Sequence, residues 1–149
     1  GLIEDALATV LNGAAEDDPF NRLIAAAGLA PQAANWMRAI YRYLRQTGVS
    51  YTIYTVVDAL VAAPQVTAAM IALFTARHGP AFIGDRDDAI AAAQGAFTRG
   101  LAKVTAINDD RLLRLYRAVI DAVLRTNAFA PAAAEALAFK LDSALVPGL

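Results

Sequence analysis

Cysteine is absent from the 149 residues, and histidine occurs once, at His78. Without thiols there can be no disulfide and no thiolate chemistry. One imidazole and no sulfur leave a zinc site with too few of its usual ligands. A cysteine-free chain is consistent with a reducing compartment, and the cytoplasm is the expected location. An excess of either charge is missing too: Lys+Arg is 13 against Asp+Glu 14, a formal net charge of -1. No basic field therefore draws the chain to nucleic acid or to an anionic membrane. The glycines are scattered, with no G-x-G-x-x-G after a strand and no Walker A pattern, so no dinucleotide site is expected. No charged segment followed by an apolar run opens the sequence, so no signal peptide is read there.

A long uninterrupted apolar run is lacking as well. Between Arg45 and Arg77 the only charge is Asp58, but Gly48, Ser50, Thr52, Thr55, Pro64-Gln65 and Thr67 break the stretch. A membrane span needs roughly 20 consecutive apolar residues, so two short buried helices are expected here and no membrane.

What is present is an apolar, alanine-rich chain: 58% of residues are hydrophobic and the mean hydropathy is +0.42. Alanine favours helix and costs little to expose. The length suits one domain able to bury a core without staples. Gly1 leads straight into a patterned segment, and Leu145-Val146-Pro147-Gly148-Leu149 ends on apolar residues. The chain is therefore expected to be a piece of a longer protein.

Helical periodicity dominates. A first helix is expected from Leu2 to Gly13, on Ile3, Leu7, Val10 and Leu11. Asp18 and Pro19 then form an N-cap and first-turn pair, and Gly28 suits a left-handed C-cap. Pro31 opens a helix to Thr47, with Gly48 as its stop, Ala33, Met37, Ile40, Tyr41 and Leu44 inward, and Arg38, Arg42 and Arg45 on the solvated face. Ser50 caps a helix from Tyr51 to Ala62; Ala63-Pro64 breaks it; Gln65 to Arg77 follows. Asp85 caps a helix from Arg86 to Ala106, in which Gly95 and Gly100 would admit a close neighbour. Asn108 caps the last long helix, to Thr126, with Asp109 and Asp110 in its first turn. Leu137, Phe139 and Leu141 alternate with Ala138, Lys140 and Asp142, a strand period. No second strand is evident in the sequence. The tail would then pair outside the chain, turn helical or stay loose, and an excised copy would self-associate through it. The fold class is all-α: an orthogonal or irregular bundle of about six or seven helices with a short extended C-terminal tail. Residues 1–149 form a single helical domain, with 136–149 as lead-in to whatever follows.

Groups able to carry chemistry are sparse. His78 falls at a helix end, where a cation complements the dipole. Glu16-Asp17-Asp18, Asp85 with Asp87 and Asp88, and Asp109-Asp110 each sit at a helix start, where acids cap, and none has a calcium-loop pattern. The rows Arg38, Arg42, Arg45 and Arg111, Arg114, Arg117 could meet phosphates or an acidic partner, but read first as solvated faces. Trp36 with Tyr41, Tyr43, Tyr51 and Tyr54 reads as core or interface packing. No catalytic, cofactor-binding or metal-binding residue is assigned.

Short motifs in a fixed order add a resemblance. Asn21-Arg22-Leu23-Ile24, Ala27-Gly28-Leu29 and Met37 to Gln46 look like "NRL…AGL…LRAYxRYLRQ"; Leu73 to Arg77 is similar to "LFxAR". Leu124-Arg125-Thr126-Asn127-Ala128-Phe129 resembles "LRTNxF", and Phe139-Lys140-Leu141-Asp142 with Val146-Pro147-Gly148-Leu149 resembles "FKLD…VPGLP". His78-Gly79-Pro80 departs from an acidic "FDP" ending, and Val49-Ser50-Tyr51 from a phenylalanine-serine pair. Together, over 21–149, these motifs resemble the large bacterial NAD-specific glutamate dehydrogenases, in the helical segment just upstream of the catalytic domain. The resemblance implies a parent enzyme that oxidatively deaminates L-glutamate to 2-oxoglutarate and ammonia with NAD. It implies a homo-oligomeric parent whose regulatory domains lie upstream and catalytic domain downstream as this segment's partners. It implies no cofactor and no activity in this segment alone, which would be a scaffold or regulatory element. The alternative is a free-standing helical protein-interaction module.

Overall fold

The computed structural model describes residues 5–11, 18–80, 83–129 and 136–142, the backbone alone at 5–11 and 136. Six α-helices carry most of them: α1 Arg22–Ala26, α2 Pro31–Gln46, α3 Ile53–Ala62, α4 Pro64–His78, α5 Arg86–Leu101 and α6 Ile107–Ala122. A 3-10 turn, Pro19–Asn21, precedes α1. The expected helical bundle with an extended C-terminal tail is therefore present.

Local signals place most boundaries. Asp18 accepts from Phe20 N with Pro19 in the first turn, and Asp85 accepts from Asp88 N. Gly28 and Gly48 follow α1 and α2 with φ of 67° and 99°, the left-handed geometry that glycine adopts most cheaply. Pro64 opens α4 with only Ala63 between it and the end of α3, and the two helices bend by 95°. Thr67, fully buried, shares its hydroxyl proton between Leu60 O at 2.9 Å and Ala63 O at 3.1 Å, which gives the Leu60 carbonyl in the last turn of α3 a partner. Among the described residues no single helix is long and apolar enough to cross a membrane.

Other boundaries differ from expectation. Thr52, not Ser50, caps α3, accepting from Thr55 N. α5 stops at Leu101, where Lys103 N and Val104 N bond back three residues and close the helix. α6 begins at Ile107 after Ala106, so Asn108 lies inside the first turn and is not its cap.

The larger correction is a sheet. Residues expected as a first helix form β1, Asp5–Leu11; α6 ends at Ala122, and β2, Val123–Thr126, follows without a break. Both pair with β3, Ala136–Asp142, in the order β1-β3-β2. β1 runs antiparallel to β3 from Asp5↔Asp142 to Leu11↔Ala136, and β2 antiparallel to it with a bulge between Val123 and Arg125. The segment Ala6 to Leu11 satisfies a helical and an alternating pattern at once, and the distant partner strand decides between them. The tail does not need an outside partner: Leu137, Phe139 and Leu141 are fully or almost fully buried in the bundle's own core. Gly13, Glu16, Asp17 and residues 143–149 lie outside the described residues.

Candidate functional site

The groups singled out in the sequence do not converge. His78 closes α4 with its ring 5.1 Å from that of Phe74, and its Nε2 is buried without a hydrogen-bond partner. Burial lowers its pKa first, and the guanidiniums of Arg77 and Arg86 lower it further. Arg86 caps the same helix end, donating to Ala76 O at 2.6 Å and Gly79 O at 2.8 Å. Among the described residues no nucleophile or acid is hydrogen-bonded to the imidazole Nε2. The described acids of these groups sit at helix starts: Asp85 caps α5 with Asp87 and Asp88 in its first turn, and Asp109 and Asp110 occupy the first turn of α6. Among the described residues no three His, Cys, Asp or Glu side chains gather to hold a metal ion.

The first arginine row is a solvated face only in part: Arg42 is half-exposed and Arg45 exposed, but Arg38 is buried. Arg38 is 3% exposed and meets Asp18 through two hydrogen bonds, Nε at 2.6 Å and Nη2 at 2.7 Å. Asn35 and Asn21 also accept from it, and its guanidinium lies 5.8 Å from the Phe20 ring. Arg45 stays exposed, donating to Tyr41 Oη. Amphipathic spacing could not reveal this, because the acid that makes burial tolerable comes from the turn before α1.

An aromatic junction lies where α2 and α4 meet the C-terminal part of the chain. Trp36 packs on Phe74 at 4.7 Å and on Phe129 at 5.2 Å, and Phe74 meets Phe139 edge-on at 6.0 Å. Tyr116, fully buried, donates to Met37 O at 2.9 Å. Desolvation lifts its pKa well above the ordinary phenol value, with Tyr41 adding to the rise, so it stays a neutral donor. Arg77 on α4 bonds Asp121 on α6 at 2.6 Å. Gly100 of α5 lies so close to α4 that a Cβ there would come within 2.9 Å of Val66 Cγ2. Of the tyrosines, Tyr41 and Tyr43 are buried and Tyr54 is exposed. The contacts here are those of packing and positioning.

Comparison with known proteins gives this region a meaning. Residues 15–80 match the family model "Glutamate dehydrogenase, helical motif 3", and residues 96–149 match "Bacterial NAD-glutamate dehydrogenase, catalytic domain". The second match begins inside α5, well before the C-terminal tail. The NAD-specific glutamate dehydrogenase of Halomonas elongata is 34% identical over 100% of this chain, and that of Mycobacterium tuberculosis 31% identical over 97%. The NAD-specific glutamate dehydrogenase of Pseudomonas aeruginosa is 32% identical over 87% of the chain. The chain spans only 8–9% of the length of these curated relatives. With a helical-motif match up to residue 80, a catalytic-domain match from residue 96, and relatives of one name along its whole length, the chain belongs to the bacterial NAD-specific glutamate dehydrogenase family.

Proposed function

We propose that this chain is a non-catalytic scaffold that joins helical motif 3 to the beginning of the catalytic domain within an NAD-dependent glutamate dehydrogenase. The parent reaction is oxidative deamination of L-glutamate to 2-oxoglutarate and ammonia, with NAD as hydride acceptor. One observation carries the reading: the stretches matched by two different family models share a single hydrophobic core. Trp36 and Phe74, from the first stretch, pack on Phe129 and Phe139, from the second, while Tyr116 is tied to Met37 and Asp121 to Arg77. A boundary crossed by packed aromatics and charge-assisted bonds transmits position rigidly. Residues 1–149 act as one unit, and the glutamate- and NAD-binding residues belong to the rest of the parent, a cytoplasmic homo-oligomer.

Titration calorimetry of the 149-residue chain with NAD tests this, together with an assay of glutamate-dependent NAD reduction. No binding heat and no turnover are expected. Micromolar NAD binding by this chain would overturn the scaffold reading.

A further inference from the structure

The second arginine row is not used by the scaffold reading, and it differs from the first. Arg114 and Arg117 stand one turn apart on α6, and both line an open cleft between α5 and α6 with a volume of about 470 Å³. Each is held by one acid four residues away, and in each case through Nε. Arg114 Nε donates to Asp110 Oδ2 at 2.9 Å; Arg117 Nε donates to both Asp121 oxygens, at 3.1 and 3.0 Å. The Nη ends of both guanidiniums make no hydrogen bond to any described residue. Arg117 also lies 5.0 Å from the Phe97 ring centroid, which limits its rotamers further. Two guanidinium ends are thus fixed at their inner nitrogens and open at their outer ones.

The rest of the wall sets the ligand class. Phe97, Leu101, Ala102 and Ala118 are apolar, and among the described residues that line the cleft Asp121 is the only acid. That acid is shared with Arg77, at 2.6 Å. Counting Asp110, which pairs with Arg114, and Arg77, which shares Asp121, three guanidiniums face two carboxylates, which leaves room for about one further negative charge. Guanidinium nitrogens match a carboxylate's two oxygens in plane. A dianionic phosphate would leave charge uncompensated and would not use the apolar floor.

We propose that the cleft between α5 and α6 binds a small organic carboxylate, held by the outer nitrogens of Arg114 and Arg117 with its apolar body on Phe97 and Leu101. The ligand reaches neither His78 nor the aromatic junction, so the site is one for binding and not for turnover.

The test is calorimetry on the 149-residue chain at constant ionic strength, with isovalerate, its neutral analogue isovaleramide, and inorganic phosphate as probes. Isovalerate should bind saturably with one site, isovaleramide should not bind, and phosphate should bind more weakly. Arg114 is well exposed, so Arg114→Gln leaves folding intact; it should weaken isovalerate binding about tenfold, as expected for loss of a charged hydrogen-bond partner. Arg114→Lys should not restore it, because an ammonium cannot bridge two oxygens in plane. Arg111→Gln, on the same helix but outside the cleft lining, should change nothing. Absence of saturable binding would overturn the proposal, as would acid and amide binding alike. Equal weakening by Arg111→Gln would show diffuse charge attraction instead of a site, and phosphate binding as tight as isovalerate would refute the carboxylate assignment.

Discussion

Arg38 is the residue whose removal from water asks most of the fold. Its guanidinium is buried beneath the turn that begins with Asp18, and Asp18 supplies two of its hydrogen bonds. Breaking such a pair from one side leaves an uncompensated charge and costs about 3–5 kcal/mol. Asp18→Ala should therefore lower stability by about that amount in urea unfolding, and Asp18→Leu with Arg38→Met should cost clearly less. By contrast Asn108→Ala should leave the melting curve almost unchanged, since Asn108 caps nothing. His78 contributes through its protonation. Its folded-state pKa lies below the ordinary value of about 6.5, because burial and two neighbouring guanidiniums oppose the charge. The unfolded chain then binds more protons than the folded one in the window just below pH 6.5. Stability is complete above that pH and falls as pH drops from it towards the lowered folded value. A comparison of thermal melts between pH 7.5 and 5.5, run at roughly half-unit steps, should show a smaller loss for His78→Gln than for the parent chain. Equal losses would mean that His78 titrates as an ordinary surface imidazole.

At the scale of elements, two glycines of α5 look alike in sequence and differ in space. A Cβ on Gly100 would meet Val66 Cγ2 at 2.9 Å and Val66 N at 3.5 Å, and Val66 is a buried, β-branched residue with no room to yield. A Cβ on Gly95 would meet only the guanidinium end of Arg99, at 3.0 Å, which can swing away. Gly95→Ala should gain up to about 1 kcal/mol from helix propensity. Gly100→Leu should lose about 1–3 kcal/mol through overpacking of α4 on α5. Urea midpoints of the two variants should shift in opposite directions. The sequence carried the local half of this architecture. Asp18-Pro19, Asp85, Gly28, Gly48 and the Ala63-Pro64 break act within a turn of themselves, so their meaning is legible in order along the chain. It did not carry the pairings. β1 reads as a helix because the strand that claims it lies at the other end of the chain, and Arg38 reads as exposed because its acid lies 20 residues away. Arg111, Arg114 and Arg117 were visible as a row, but only geometry separates the two that line the cleft.

At the scale of the whole molecule, β1 paired to β3 brings the two ends of the described chain side by side, and the core runs unbroken from Phe20 to Leu141. That continuity crosses from the helical-motif match to the catalytic-domain match. A scaffold that positions one domain on another must unfold as one body, because sub-global opening between the two would uncouple them. The scaffold role thus requires that the two stretches form one cooperative unit. Native-state hydrogen exchange in low denaturant measures it directly on the buried amides of α2 and α4 and on those of α6 and β3. The slowest amides of both sets should share one opening free energy and one denaturant dependence, merging at global unfolding. If the two sets open with free energies that differ by more than about 2 kcal/mol and never merge, the stretches are separate units and the scaffold account is contradicted.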